Sequence, residues 1–209
     1  MARLKTNILD GGFGKVGTVV LYEWRGISCM RSLPRDYKDK KSKAQLQQRQ
    51  KMKLVHSFLY NFKPNLNLMF NEGSIGRTPY QAAVSYNLKY GVMGDYPDQK
   101  INYRSALIAK GTLPLPDSME LIVTGDDVKI EWDTSYFHNS KNVNDELNIY
   151  MLGKEIGSYA KRYNTKIKRK EGSCIINEWL TEKLGDLIIW AFFVNKGQTE
   201  VSNSVCLAY

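Results

Sequence analysis

The spacing of apolar residues changes about halfway along the chain. Before residue 113 the clearest periodic segments have helical spacing, whereas after it apolar and polar residues alternate in short runs. A period near 3.6 indicates a helix with one buried face, and a period of two indicates a strand. Two prolines, Pro114 and Pro116, lie at the change and favour an extended linker. We therefore predict two domains, residues 1–112 and residues 113–209.

The N-terminal domain is predicted to open with a glycine-rich arm and a β-hairpin. Residues 8–17 contain four glycines, and residues 18–24 are the β-branched and aromatic run of a strand. Arg25 and Gly26 suit a turn, so residues 27–31 can return as the second strand. Pro34 ends this strand because proline lacks the amide donor that pairing needs.

Two helix starts follow the hairpin. Ser42 is a good N-cap with Gln45 three residues later, and Pro64 closes or kinks the helix that begins there. Thr78 and Gln81 repeat this signature around a proline at the first helical position, and Gly91 supplies the stop. These signals predict two or three helices before residue 112.

The C-terminal domain is predicted to be all β. Strand candidates, separated by glycine-containing turn signals, are residues 121–123, 128–132, 147–151, 173–176, 187–194 and 201–207. Six or seven short strands without helical periods between most of them are typical of an immunoglobulin or fibronectin-like sandwich. The predicted fold class is therefore α+β: a basic N-terminal arm, a hairpin and two or three helices, followed by an all-β sandwich.

Charge is distributed as unevenly as periodicity. Residues 1–110 hold 19 Lys and Arg against 7 Asp and Glu, whereas residues 111–209 hold 11 against 14. The formal net charge of the whole chain is +9. The basic part should be drawn to a polyanion or to an acidic protein surface.

The positive charge is densest between residues 25 and 53, next to Trp24 and around Tyr37. Aromatic side chains in a basic groove can stack on nucleic-acid bases. A solvated surface, or one that docks on an acidic neighbouring subunit, has the same composition, and no recognised nucleic-acid motif accompanies the charge. The candidate interaction residues, for protein or nucleic acid, are Trp24, Arg25, Arg31, Arg35, Lys38, Lys40, Lys41, Arg49 and Lys53.

No motif in the sequence specifies a reaction. Residues 12–17 have the spacing G-x-G-x-x-G, but a dinucleotide site needs a helix directly after it, and here a strand follows. His56 and His138 lack partners at ligand spacing, and the doublets at 126–127 and 145–146 fit turn chemistry better than a calcium site. We expect a non-catalytic protein with no cofactor, metal or small-molecule substrate.

The cysteines and the hydropathy bear on the compartment. Cys29, Cys174 and Cys206 form no C-x-x-C motif, so we expect free buried thiols, although Cys174 and Cys206 could lie on neighbouring strands. No apolar run approaches the ~20 residues that cross a bilayer. Asn7 and Asp10 interrupt what would be the apolar core of a signal peptide. A cytoplasmic or particle-associated protein, without a membrane partner, is expected.

An ordered set of short motifs extends over nearly the whole chain: Gly14–Val20 (GKVGTVV), Trp24–Gly26 (WRG), Arg31–Pro34 (RSLP), Gln45–Arg49 (QLQQR), Ala82–Leu88 (AAVSYNL), Tyr96–Pro97 and Ser202–Val205 (SNSV). With these motifs the chain resembles uncharacterised proteins of similar length from Bacteroidota and their phages or prophages. Its C-terminal part also resembles a fibronectin type III domain, with Trp132 on an early strand. The resemblance implies a phage-like structural or assembly role and brings with it no known activity that could be assigned to this chain.

We therefore expect a structural or assembly protein that self-associates, or binds a partner protein, through its N-terminal region. The alternative is an accessory protein that binds nucleic acid with residues 25–53.

Overall fold

The computed structural model of the chain describes residues 2–3, 12–24, 26–33, 39–70, 77–124, 127–135, 141–154, 160–176 and 186–208. Contacts divide the chain into two compact units, Met1–Ser42 and Lys43–Tyr209. The boundary predicted at residues 112 and 113 lies inside the second unit. That residues 113–209 fold alone stays a prediction.

The first unit is a four-stranded antiparallel sheet in the order β1-β4-β3-β2. Its strands are β1 (Ala2–Arg3), β2 (Gly14–Val16), β3 (Val19–Trp24) and β4 (Ile27–Ser32). The pair β3–β4 confirms the predicted hairpin, and Gly26 between them adopts the left-handed φ of 75° that glycine tolerates best. The glycine-rich arm itself contributes β2, which periodicity did not predict.

The helices of the second unit are α1 (Lys43–Tyr60), α2 (Leu66–Met69) and α3 (Pro79–Tyr90), in agreement with the predicted two or three. Pro64 lies in a 3₁₀ turn, Lys63–Asn65, after α1 has ended. The capping box before α3 forms as predicted: Gln81 N–H donates to Thr78 Oγ1 at 3.1 Å, and Thr78 N–H donates to Gln81 Oε1 at 2.9 Å.

Strands follow the helices, and every neighbouring pair is antiparallel. A short pair consists of β5 (Val92–Met93) and β6 (Lys100–Ile101). A three-stranded sheet, β11-β8-β7, contains β7 (Met119–Thr124), β8 (Asp127–Trp132) and β11 (Ser173–Ile176). A four-stranded sheet, β10-β9-β12-β13, contains β9 (Glu146–Gly153), β10 (Lys161–Lys168), β12 (Leu187–Val194) and β13 (Val205–Ala208). The α+β class, with strands mostly towards the C-terminus, is confirmed.

In the four-stranded sheet of the second unit, the central strands β9 and β12 are buried on both faces. On β12, Ile189, Ala191 and Phe193 pack into one core with the three-stranded sheet. The alternate residues Ile188, Trp190, Phe192 and Val194 join the second core, which contains Val55, Phe58, Leu59 and Phe62 of the helical region. Strands buried on both faces read as continuous apolar runs, which explains the sequence LIIWAFFV. Helices and strands of the second unit therefore share a core.

Residues 107–113, between the helices and the large sheets, are held by hydrogen bonds to Ser204 and to backbone groups. The Ser204 Oγ accepts hydrogen bonds from the N–H groups of Ile108 at 3.0 Å and Ala109 at 3.3 Å. Leu113 N–H donates to the carbonyl of Val201 at 3.0 Å. Ser204 belongs to the SNSV motif, so this motif has a structural role in seating residues 107–113 against the last strands.

Candidate interaction surface

One face of the first unit combines basic and aromatic residues. Opposed residues of antiparallel strands point to the same face, and the pairs Lys15–Val20, Val20–Arg31 and Tyr22–Cys29 therefore share one with Trp24 and Ile27. The guanidinium carbon of Arg31 lies 5.9 Å from the centroid of the Tyr22 ring, at the distance of a cation–π contact. Trp24 is 39% exposed at the end of β3. We call Lys15, Tyr22, Trp24 and Arg31 the basic face.

The first unit also leaves apolar side chains in solvent. Val16 on β2 is 65% exposed, and Phe13 just before it is 73% exposed. Among the described residues of this unit only Leu21 and Cys29 are buried, and neither belongs to the two cores of the second unit. A sheet of this size with so little buried apolar surface is marginal without a further partner.

The other predicted interaction residues occupy different elements. Lys40 and Lys41 are exposed just before α1, where the N–H of Lys41 donates to the Asp39 carboxylate at 3.2 Å. Arg49 and Lys53 are exposed on α1, and their spacing of four places them on one side of the helix. The structure thus groups Trp24 with Arg31 in the first unit and Arg49 with Lys53 in the second. Arg25, Arg35 and Lys38 lie outside the described residues.

The remaining candidates from the sequence are the G-x-G-x-x-G segment, the two histidines and the acidic doublets. Residues 12–17 form β2 and the turn into β3, so no helix follows the G-x-G-x-x-G spacing. The Nδ1 of His56 lies 2.7 Å from the Tyr80 hydroxyl and links α1 to α3. His138 and Asp126 lie outside the described residues. Within the described ranges no group of three or more His, Cys, Asp or Glu side chains is arranged to hold a metal ion.

Asp145, from the second acidic doublet, takes part in a buried ion pair. Its Oδ2 lies 3.5 Å from Nη2 of Arg169, which is fully buried with its guanidinium 3.9 Å from the centroid of Phe193. Burial lowers the pKa of Arg169 to about 10 against the opposing pull of Asp145, and it raises the pKa of Asp145. The pair joins the 3₁₀ turn Arg169–Glu171 to the start of β9.

All three cysteines are free thiols, and Cys29 and Cys174 are buried as predicted. Cys206 is half-buried. The possibility that Cys174 and Cys206 lie on neighbouring strands is wrong, because β11 and β13 belong to different sheets. Burial raises the pKa of each of these two thiols to about 11, so neither is poised as a nucleophile at neutral pH.

A cavity of about 260 Å³ opens beside α3. Its walls include the aromatic rings of Phe70, Tyr86 and Tyr90 and the cationic side chains of Arg77, Lys89 and Lys110. Neither periodicity nor a motif points to this site, because its three basic residues are separated by more than ten positions each. The one local signal of the site is that Tyr86, Lys89 and Tyr90 have the spacing of residues on one side of a helix.

None of the helices in the described part of the chain is long and apolar enough to cross a membrane.

A family model matches residues 11–208, and thus parts of both units. The chain belongs to DUF6266, a family of unknown function. The DUF6266 match extends over the hairpin, the helices and the strands of both large sheets, and it confirms the expected membership of an uncharacterised family. No curated protein and no solved structure matches the chain.

Proposed function

We propose that this DUF6266 chain is a non-catalytic structural or assembly protein whose first unit docks on a second copy of the chain. The observation that carries the proposal is the exposure of Phe13, Val16 and Trp24 on a small sheet, none of whose described side chains belongs to either buried core. Aromatic residues at the centre of an interface supply much of its binding energy, and Trp24 is the natural anchor.

The edge of the first sheet supports the same reading. In the described sheet β2 is an edge strand, and all three of its residues are exposed. An unpaired edge can accept a further strand through its free backbone groups. A neighbouring copy could therefore add both backbone hydrogen bonds and apolar contacts at Val16.

Charge favours contact between copies in a head-to-tail arrangement. The first unit, residues 1–42, holds nine Lys and Arg against four Asp and Glu, whereas residues 111–209 carry a net charge of −3. Opposite charges on one chain can meet between copies. Exposed ion pairs contribute only about 0–1 kcal/mol each, so the apolar residues would have to supply most of the affinity.

The arrangement of the two large sheets supports the proposal that they form a fibronectin type III-like sandwich. In the assembly this sandwich would be displayed, while the first unit makes the contact with the neighbouring copy. In chain order after residue 113, the first, second and fifth strands form one sheet, and the third, fourth, sixth and seventh form the other. This division, with a core between the sheets, fits the sandwich that the sequence resembles. We propose further that the protein is a component of a phage-derived particle, as the resemblance to Bacteroidota and phage proteins implies. It would then be cytoplasmic or associated with that particle.

Light scattering after size-exclusion chromatography tests self-association. We expect the full chain to form oligomers at about 50 mM and about 200 mM salt, because apolar contacts resist screening. Trp24→Ala and Val16→Lys should both shift the chain to monomer. The matched control is Tyr60→Ala, which removes a 64% exposed ring from α1 in the second unit and should leave the oligomer intact. A wild-type chain that is monomeric at every concentration would refute the proposal.

The basic face favours nucleic-acid binding as the second candidate. Tyr22 and Trp24 could stack on bases while Lys15 and Arg31 contact phosphates. Phosphate contacts make affinity fall steeply with salt, by roughly 10³-fold or more between 50 and 200 mM if about 6–10 phosphates are engaged. A strictly monomeric chain whose filter-binding affinity for single-stranded nucleic acid falls in this way, and is weakened by Arg31→Gln, would favour this candidate over assembly.

A further inference from the structure

The cavity beside α3 brings three cations to one place from three parts of the second unit. Arg77 precedes the helix, Lys89 lies in its last turn, and Lys110 follows β6. None of the described residues that line the cavity is acidic. Like charges gathered at a concave site raise the local potential for anions, and arginine can bind a phosphate through two hydrogen bonds. Arg77 and Lys110 also interact with other groups of the chain, so a bound anion would add to those interactions.

Three aromatic rings, together with Ala82 and Ser85, form the rest of the wall. The ring centroids of Tyr86 and Tyr90 are 5.0 Å apart, and those of Phe70 and Tyr86 are 6.5 Å apart. Such rings offer flat apolar surface to another ring. A site lined by both cations and aromatic rings suits a ligand that itself combines an anionic group with a ring.

The size of the cavity limits the ligand. Pockets for drug-sized molecules span about 300 to 1,000 Å³. At about 260 Å³ the present cavity is smaller, which fits a single ring with one anionic substituent and excludes a dinucleotide. The Lys89 ammonium also lies 4.9 Å from the Tyr90 ring centroid, and its hydrogen bond to Tyr90 raises the pKa of Lys89 still further above neutrality.

We propose that this cavity binds a small aromatic phosphate monoester through Arg77, Lys89 and Lys110, with the ligand ring against Tyr86 and Tyr90. The doubly charged phosphate matches the three cations better than a carboxylate does. The site lies wholly within the second unit and is independent of the proposed self-association.

Isothermal titration calorimetry of the full chain with phenyl phosphate, at constant ionic strength, tests the site. We expect saturable one-to-one binding, with inorganic phosphate binding at least about tenfold more weakly because it lacks the ring, and benzoate at least about tenfold more weakly because its carboxylate carries less charge than a phosphate. Lys89→Gln and Arg77→Gln should each reduce the affinity for phenyl phosphate by about tenfold or more, as expected for charge-assisted hydrogen bonds. The matched control, Lys100→Gln, changes an exposed lysine on β6 that does not line the cavity and should bind as the wild type does.

Three results would overturn the proposal. The first is the absence of saturable binding of phenyl phosphate up to about 10 mM, well above the millimolar range of a weak specific site. The second is an equal loss of affinity in Lys89→Gln and Lys100→Gln, which would indicate attraction to the overall positive charge. The third is inorganic phosphate binding as tightly as phenyl phosphate, since the rings would then contribute nothing. Because the Lys89 side chain is exposed, Lys89→Gln should keep the wild-type unfolding temperature and so report on binding alone.

Discussion

The side chain of Asn87 hydrogen-bonds to both backbone groups of Leu107. Its Oδ1 accepts from the Leu107 N–H at 3.0 Å, and its Nδ2 donates to the Leu107 carbonyl at 2.9 Å. The same Nδ2 donates to the carbonyl of Ala83 one turn earlier in α3, at 3.0 Å. Asn87 is fully buried, so these bonds have no competition from water. The helix thereby offers Leu107 the pair of bonds that a neighbouring strand would otherwise provide.

Replacing Asn87 by leucine should destabilise the second unit strongly. The substitution leaves the N–H and the carbonyl of Leu107 buried without this partner, and each unsatisfied group costs about 1–3 kcal/mol. We expect the free energy of unfolding to fall by about 2–5 kcal/mol in urea denaturation monitored by circular dichroism. Ser85→Ala, on the exposed side of the same helix, should change it by less than about 0.5 kcal/mol. A near-neutral Asn87→Leu would show that Leu107 finds other partners.

Gly111 should tolerate no side chain. A Cβ at this position would lie 2.1 Å from the carbonyl oxygen of Val201, which is backbone and cannot rotate away. Gly111→Ala is therefore expected to lower the free energy of unfolding by about 3 kcal/mol, at the upper end of usual overpacking costs. Gly197→Ala is the control, since its nearest contact would be 3.6 Å from Thr199 Oγ1, an ordinary van der Waals distance. Equal stability of the two variants in urea denaturation would contradict the close approach.

The elements with strong local signals could be predicted from the sequence. The alternation in β11 and the apolar run of β12 gave the observed bounds, and the capping box at Thr78 placed the start of α3. By contrast, β10 (KRYNTKIK) is not predicted, because its alternation is weak: only Tyr163 and Ile167 are apolar on the side that packs against the core, and they stand among four Lys and Arg residues.

The candidate sites were predictable only in part. Trp24 and Arg31 stand close in sequence, and the predicted hairpin already brought them to neighbouring strands. The cavity depends on side chains from Phe70 to Lys110, which meet only when α3 packs against the segments on both sides of it. Periodicity describes one element at a time, so it carries no information about such a meeting of three segments.

The stability of the chain should depend on the Cys174 thiol at alkaline pH. Burial raises the pKa of Cys174 from 9.0 to about 11, so between these values the folded chain holds a proton that the unfolded chain releases. Stability from this group is complete below about pH 9 and is lost as the pH rises through 11. Cys174→Ala lacks this dependence. The stability advantage of the wild type over Cys174→Ala should therefore shrink between pH 9 and 11, whereas the difference between the wild type and Ser173→Ala should stay constant in urea denaturation at each pH.

Truncation distinguishes the predicted domain boundary from the division seen in the contacts. Residues 43–209 contain both buried cores, so we expect this fragment to fold without the first unit and to unfold in one cooperative transition. Residues 113–209 keep the core between the two sheets but lose the helical cover of the other face, where Tyr150, Leu152, Ile188, Trp190 and Phe192 are buried in the whole chain. Apolar patches of this kind bind hydrophobic dyes and promote aggregation.

We therefore expect the fragment 113–209 to bind the dye ANS (8-anilinonaphthalene-1-sulfonate) and to unfold at a lower urea concentration than 43–209, even if its circular dichroism is of the β type.

Substituting Trp190 is a second way to distinguish a boundary at residue 113 from one at residue 43, because the Trp190 ring contacts Phe58 and Phe62 at centroid distances of 5.7 Å. In 43–209, Trp190→Ala should cost about 3–5 kcal/mol of unfolding free energy, as for other buried aromatic rings. In 113–209 the same change should cost much less, since no helix packs on the ring. A fragment 113–209 that unfolds sharply, binds no dye and loses as much stability on Trp190→Ala as 43–209 would place the boundary at residue 113 after all.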